Sequence, residues 1–428
     1  MKYFLLIGAS IAMSFVSLSQ SPSVDTLDRF LSTYFAKGSF NGTALISWHG
    51  KVILEKGYGY RNFTDSSRND PSTIYQIASV TKQFTSTLIL RLVEENKLSL
   101  SDRLSKFKPE IPRADSVTIR HLLSHTSGIS DHPTDSVTRA LNFSPGTSWE
   151  YSNTGYILLG RIIEQVTGMS YYNALRRYIF EPLQMSHTAF DFINLKSKDK
   201  ATGYWEYPDE PNPSSATIID STGPFAAGAI YSTVGDLFKW HQGLQSHRVL
   251  SEQSARQAYN PVLNNYGFGW FIDSIAGRRI VSHSGDIWGF RSNLARIPQD
   301  DVCIVLLGNT EDQDLRNITF GLLSILYRQP YTLPSLHQQI SVPASSLGKF
   351  VGTYEVSIKN FVLVITLEDG KLMSQVPGQP KFRLRPEKED LYFVREFDAT
   401  VEFGATNGIV DKCWILQGGN RIEGKKVK

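Results

Sequence analysis

Ser79 and Lys82, in the stretch IASVTKQF (77–84), stand three residues apart at the start of a helical pattern. At that spacing the two side chains share a helix face, so the Lys82 amine can reach the Ser79 hydroxyl. Phe84, Leu88, Ile89 and Leu92 carry the pattern onward, and serine is a good capping residue, so the helix is expected to begin near Ser79. A capping box would put Glu or Gln at position 82. A lysine there faces the positive end of the helix dipole and costs roughly 0.3 to 1 kcal/mol. The same potential disfavours the ammonium, which would lower the lysine pKa toward a range where the neutral amine acts as a general base. N–H groups at the helix start would also stabilise an oxyanion formed beside Ser79. The pair suits a serine nucleophile activated by lysine; the plainer reading is a helix cap beside a snorkelling lysine.

Ser-x-x-Lys recurs at Ser105, Ser197 and Ser346, but only Ser79 opens a long amphipathic helix. Two further elements follow in order. Tyr151-Ser152-Asn153 lies in a Pro/Gly loop that leads into a helix, where side chains can project into a cleft. His283-Ser284-Gly285 ends a strand pattern; the glycine admits a substrate backbone, and the N–H of Asp286 can complete an oxyanion hole. His121 and His125 stand four apart, as zinc ligands do, but Leu122 occupies the place of the general-base Glu. No Gly-x-Ser-x-Gly elbow or phosphate-binding glycine loop occurs. Neither metal nor cofactor is implied.

The elements that must position these residues fall into two regimes. From about residue 24 to 330, strand and helix patterns mix: a hairpin around His49 and Gly50, several helices, then strands at RRIVSHSG, FRSNLARIP and DVCIVLLGN. Strands at both ends with helices between suggest one sheet built from the two termini of the domain. A linker over 331–346 leads to residues 347–428, where short strands are separated by turns such as Asp369-Gly370 and Asn407-Gly408, as in a small up-and-down barrel or half-barrel. The closing GKKVK reads as a solvated end. Cys303 and Cys413 read as two free, buried thiols. A net charge of +3 without clustered Lys and Arg argues against a nucleic-acid partner. Residues 1–19 read as a secretory signal peptide, with Lys2, an apolar run from Tyr3 to about Leu18, and Ser17 and Ser19 before Gln20. The mature chain is then secreted or periplasmic, with no stable membrane span.

With the stretches VTIRHLLSHTSGI, YSNTGYILLGRIIEQVTG, AAGAIYSTVGDLFKW and YGFGW, these motifs resemble the serine beta-lactamase and penicillin-binding-protein superfamily. The resemblance covers about residues 25 to 327 and points to the branch of class C beta-lactamases, DD-carboxypeptidases, D-aminopeptidases and esterases. It implies an α/β (α+β) domain: an antiparallel sheet flanked by helices, plus a helical subdomain. The all-β module after it is similar to the lipocalin-like domains often fused to such hydrolases. By the resemblance Ser79 is the acylated nucleophile, Lys82 its base, and Tyr151 the acid/base that protonates the leaving group. Asn153 bonds the substrate amide, and Ser284, Gly285 and Asp286 line the substrate strand. His283 departs from the Lys usual in beta-lactamases of this branch. A neutral histidine offers a hydrogen bond to Tyr151 or to substrate, and activity should then fall as pH drops through about 6.5. The expected substrate is a peptide or small molecule: first D-amino-acid-containing peptides, next small acyl esters, with beta-lactams lower. A catalytically silent binding module is the alternative from another class.

Overall fold

Every residue of Val302–Gly308 is buried, because the strand has a core on each face. Val302, Ile304 and Leu306 pack with Leu27, Phe30 and Leu322, while Cys303, Val305 and Leu307 join Phe84, Leu88 and Trp240. Period-2 alternation thus feeds two cores from one apolar run. This computed structural model describes residues 23–131, 140–208, 214–357, 361–395 and 399–427. The expected signal peptide lies outside the described residues, and none of their helices is long and apolar enough to cross a membrane.

The sheet takes its strands from both ends of the hydrolase region. In chain order its elements are α1 (Val24–Ala36), β1 (Gly42–Trp48), β2 (Lys51–Tyr58), α2 (Thr81–Glu94), α3 (Ile119–Leu123), α4 (Asn153–Thr167) and α5 (Val234–Gln245). Then come β3 (Phe271–Ile275), β4 (Arg278–Ile287), β5 (Phe290–Ile297), β6 (Val302–Gly308) and α6 (Leu315–Leu326). The strand order is β2-β1-β6-β5-β4-β3, antiparallel throughout, with Thr43 of β1 opposite Leu307 of β6. Helices α1 and α6 supply the core on one face, and α2, α4 and α5 lie in the core on the other.

One expectation needs correcting. Helix α2 is not amphipathic in the ordinary sense, because every residue from Thr81 to Leu90 is buried. It runs through the middle of the helical layer, so its polar side must find partners inside the protein. Thr85 Oγ1 donates to Ala226 O at 2.6 Å, and Gln83 Oε1 accepts from Trp240 Nε1 at 3.1 Å.

The C-terminal strands form a closed antiparallel barrel in simple sequence order. They are β7 (Gly352–Val356), β8 (Val362–Glu368), β9 (Lys371–Gln375), β10 (Lys381–Pro386), β11 (Leu391–Val394), β12 (Ala399–Thr406), β13 (Ile409–Gln417) and β14 (Asn420–Lys426). The end expected to be solvated is the closing strand: Gly424, Lys425 and Lys426 pair with Val356, Glu355 and Tyr354 of β7. Its alternation is hidden in the sequence, because outward Arg421, Glu423 and Lys425 flank an inward face whose apolar content is Ile422 and a glycine. Both cysteines are free and buried, Cys303 in the sheet and Cys413 in the barrel. Polar contacts tie barrel to hydrolase domain. Glu206 meets Arg385 at 3.2 Å, Arg383 at 3.5 Å and Lys371 at 3.6 Å, and Arg395 Nη1 donates to Tyr207 O at 3.1 Å.

Removing residues 420–428 leaves β7 and β13 as two open edges, which are sites for aggregation. Calorimetry should lose a barrel transition, and the truncated protein should self-associate. An unchanged calorimetric trace would contradict a barrel closed by this strand.

Candidate active site

Ser79 lies in a 3-10 turn, Ala78–Val80, that feeds into α2, and no side chain caps the helix. The serine is therefore not the expected cap, and its hydroxyl is left to the site. Ala78 immediately before it has φ 46°, a left-handed conformation that costs an alanine on the order of 1 kcal/mol. The surroundings enforce it. Ile77 O accepts from Ser292 Oγ at 2.7 Å, and this turn presses on β4 at Gly285, where a Cβ would lie 2.3 Å from Ile77 O. Only glycine fits at 285.

Lys82 is completely buried. Its Nζ lies 2.7 Å from Asn153 Oδ1, 2.8 Å from Ala227 O and 3.0 Å from Ser79 Oγ. Burial holds its pKa well below the ordinary lysine value, against the opposing charge of Asp131. The direction is as expected, but desolvation is the leading cause where the helix dipole was anticipated. A neutral amine satisfies this geometry fully. Its two N–H bonds go to Asn153 Oδ1 and Ala227 O, and its lone pair accepts the Ser79 O–H.

Asn153 is the first residue of α4, and Asp131 places it. One Asp131 oxygen accepts from the N–H of Asn153 at 2.9 Å and of Thr154 at 3.2 Å, and the other from Asn153 Nδ2 at 2.9 Å. The Asn153 amide, expected to serve the substrate, thus spends its oxygen on Lys82 and one N–H on Asp131, leaving a single N–H for a substrate.

The Tyr151 hydroxyl lies beside Ser79, and burial holds the phenol protonated above its usual range. Its ring packs on His125 with centroids 4.3 Å apart. His125 Nδ1 accepts the Ser152 N–H at 3.1 Å, so Nε2 carries the proton. That atom is buried without a hydrogen-bond partner, and burial keeps the ring neutral. His121 Nδ1 accepts the Thr118 N–H at 3.2 Å, so both histidines of the zinc-like spacing serve backbone amides.

His283 does not bond to its expected partner Tyr151. Its Nδ1 donates to Ser284 O at 2.6 Å, so its Nε2 accepts from the Tyr266 hydroxyl at 3.0 Å rather than from Tyr151. Burial, with Lys82 nearby, pushes its pKa down to about 3. It stays neutral through the range in which a histidine near 6.5 would titrate. Ser284 contributes its carbonyl, while its side chain is exposed.

Strand pairing shows what Asp286 offers. Tight turns place Ile275 opposite Arg278 and Ile287 opposite Phe290. Ladder bonds alternate from those closing pairs, so odd-numbered residues of β4 bond to β5 and even-numbered ones point toward β3. Strand β3 begins at Phe271, opposite Ser282, so the N–H groups of Ser284 and Asp286 face an edge that β3 does not reach. A cavity of about 560 Å³ opens there, lined by Ser79, Asn153, Asp131 and Asp286. The Ser79 N–H lies in a first helical turn, where a helix has no acceptor to give it.

The structure therefore brings Ser79, Lys82, Tyr151, Asn153, His283, Gly285 and Asp286 to one cleft. Asp131, His125 and Tyr266 were not singled out for the site. The stretches HLLSHTSGI and YGFGW contained two of them without showing which atoms they would meet.

In the unfolded chain Lys82 titrates at about 10.4, and in the fold well below it. Between those values the unfolded chain binds the extra proton, so wild type gains stability as pH rises through that window. Lys82→Gln removes this dependence. Urea unfolding from pH 7.5 to 9.5 should show wild type gaining on the variant by about 1 kcal/mol per pH unit. A pH-independent difference would contradict a neutral buried amine.

Comparison with known proteins places this arrangement. A sequence profile of the beta-lactamase family matches residues 27–323. Penicillin-binding protein 4* of Bacillus subtilis (strain 168) is 28% identical over 448 residues, covering 94% of this chain and 98% of that one. Among solved structures, the octameric penicillin-binding protein homologue from Pyrococcus abyssi matches with a TM-score of 0.66 at 25% identity, over 94% of this chain and 100% of that one. D-amino acid amidase from Ochrobactrum anthropi SV3 gives 0.58 at 25% identity, over 67% of this chain and 91% of its own. The chain belongs to the beta-lactamase family of serine hydrolases.

Proposed function

We propose that this protein is an exported serine hydrolase that forms an acyl-enzyme on Ser79 and acts first on D-amino-acid-containing peptides or amides. The observation that carries the reading is the completely buried Lys82 amine, one hydrogen bond from Ser79 Oγ. Lys82 takes the serine proton as Oγ attacks the substrate carbonyl. The N–H groups of Ser79 and Asp286 hold the oxyanion. Tyr151, protonated and beside Ser79, gives its proton to the leaving nitrogen and is reprotonated by the Lys82 ammonium; the neutral Lys82 amine then takes a proton, through the Tyr151 hydroxyl, from the water that releases the acyl group and returns it to Ser79 Oγ. The open edge of β4 accepts an extended peptide as an added strand. Likeness to a D-amino acid amidase supports the substrate class. A neutral His283 gives a substrate carboxylate no fixed charge, which ranks beta-lactams lower and keeps small acyl esters as the second reading. Export rests on the N-terminal apolar run alone.

Intact-mass measurement with a fluorophosphonate should give one adduct that Ser79→Ala abolishes while Ser105→Ala and Ser197→Ala keep it. An adduct surviving in Ser79→Ala would refute the nucleophile. Turnover of D- against L-aminoacyl p-nitroanilides, a p-nitrophenyl ester and a penicillin ranks the substrates; preference for the L form or for penicillin would overturn the substrate class.

The pH profile separates the two candidate titrating groups. Activity falls as acid protonates Lys82, at a pH below the ordinary lysine range, whereas His283 at about 3 contributes no limb near 6.5. His283→Asn should leave the midpoint of the acid limb within about half a unit, whatever it does to kcat. Disappearance of that limb in the variant would reassign it to His283.

A further inference from the structure

Trp205 and Trp288 stand in contact at the mouth of the cleft, with ring centroids 5.6 Å apart and planes tilted by 54°. They are 41% and 49% exposed, an unusual amount of water-facing indole for residues held in place. Trp288 lines the same cavity as Ser79, Asn153 and Asp286.

The backbone beneath each ring is fixed. Trp288 and Gly289 form the two-residue turn between β4 and β5, with Gly289 at φ 78°. A Cβ on Gly289 would lie 2.7 Å from Gly203 Cα, so this turn packs directly on the segment that carries Trp205. The Gly289 N–H donates to Glu311 Oε1 at 2.8 Å. Before Trp205, the Tyr204 N–H donates to Asn309 O at 3.0 Å, and its hydroxyl to Asn62 Oδ1 at 3.1 Å. After it, Glu206 is held by Lys371, Arg383 and Arg385 of the barrel. Two rigid segments converge and leave two indole faces open beside the nucleophile.

We propose that Trp205 and Trp288 form a specificity subsite that takes an aromatic side chain of the substrate acylating Ser79, with the barrel holding Trp205 through Glu206. The inference rests on the Ser79 reading above and extends it to the side chain selected. Tilted indoles offer a ring both stacking and edge contacts. The neighbouring walls are Ile219, Pro224 and Ile287, an apolar surround that suits a hydrocarbon ring better than a hydroxyl-bearing sugar.

The test uses two fluorophosphonates, one bearing a benzyl group and one a methyl group, from which Ser79 Oγ displaces fluoride whatever the natural substrate. Full-length wild type should be labelled about 10-fold faster by the benzyl compound. Trp205→Ala and Trp288→Ala should each reduce that ratio to about 2 or 3, Trp205→Phe and Trp288→Phe should restore most of it, and Glu206→Gln should lower it in part. No benzyl preference in wild type, no labelling by either compound, or a preference that survives in both alanine variants overturns the subsite. An intact benzyl preference without D-over-L selectivity on aminoacyl p-nitroanilides overturns only the D-peptide reading.

Discussion

Removal of the Lys82 amine from water is the constraint on which the rest of the site depends. Each unit by which burial lowers its pKa represents about 1.4 kcal/mol of differential stability between charged and neutral forms. To keep the amine dry, α2 is surrounded on all sides, so even its threonines and Gln83 must be satisfied internally. To keep it useful, its two N–H bonds are given fixed acceptors, the Asn153 side chain and the Ala227 carbonyl, which leaves the lone pair aimed at Ser79. Asp131 sits behind Asn153 and secures the amide orientation that this arrangement needs.

The second requirement is close approach of two backbones. Ala78 in its left-handed conformation and Gly285 without a side chain let the nucleophile turn lie directly against β4. The Ser79 N–H and the outward N–H of Asp286 can then converge on one point. Strain at Ala78 is tolerated because the Ile77 carbonyl is tied to Ser292 on the neighbouring strand. On the other side of the nucleophile, the Tyr151 ring is packed on His125, whose own orientation is set by the Ser152 N–H.

The sheet was legible because its signals are local. The His49-Gly50 turn, the continuous apolar run of Val302–Gly308 and the strand around His283 each announce themselves within a few residues. Ser79 with Lys82 was legible because helical spacing forces the contact. The partners supplied by tertiary packing were not: Asp131 caps a helix that starts 22 positions later, and Tyr266 reaches His283 from the strand connection before β3. The lysine pKa direction followed from the sequence, but its main cause did not. Helix-dipole reasoning needs only position in the helix, whereas desolvation depends on what packs around it. The last barrel strand escaped notice because Arg421, Glu423 and Lys425 mask a narrow inward face.

A resting site that holds Lys82 as a neutral amine has a direct spectroscopic signature. Selective isotopic labelling of lysine side chains, with the Lys82 resonance assigned by its loss in Lys82→Gln, allows direct titration of Nζ by NMR in the resting enzyme. Lys82 should titrate well below the ordinary lysine value of about 10.4. A Lys82 amine that titrates at that ordinary value would contradict a neutral resting state.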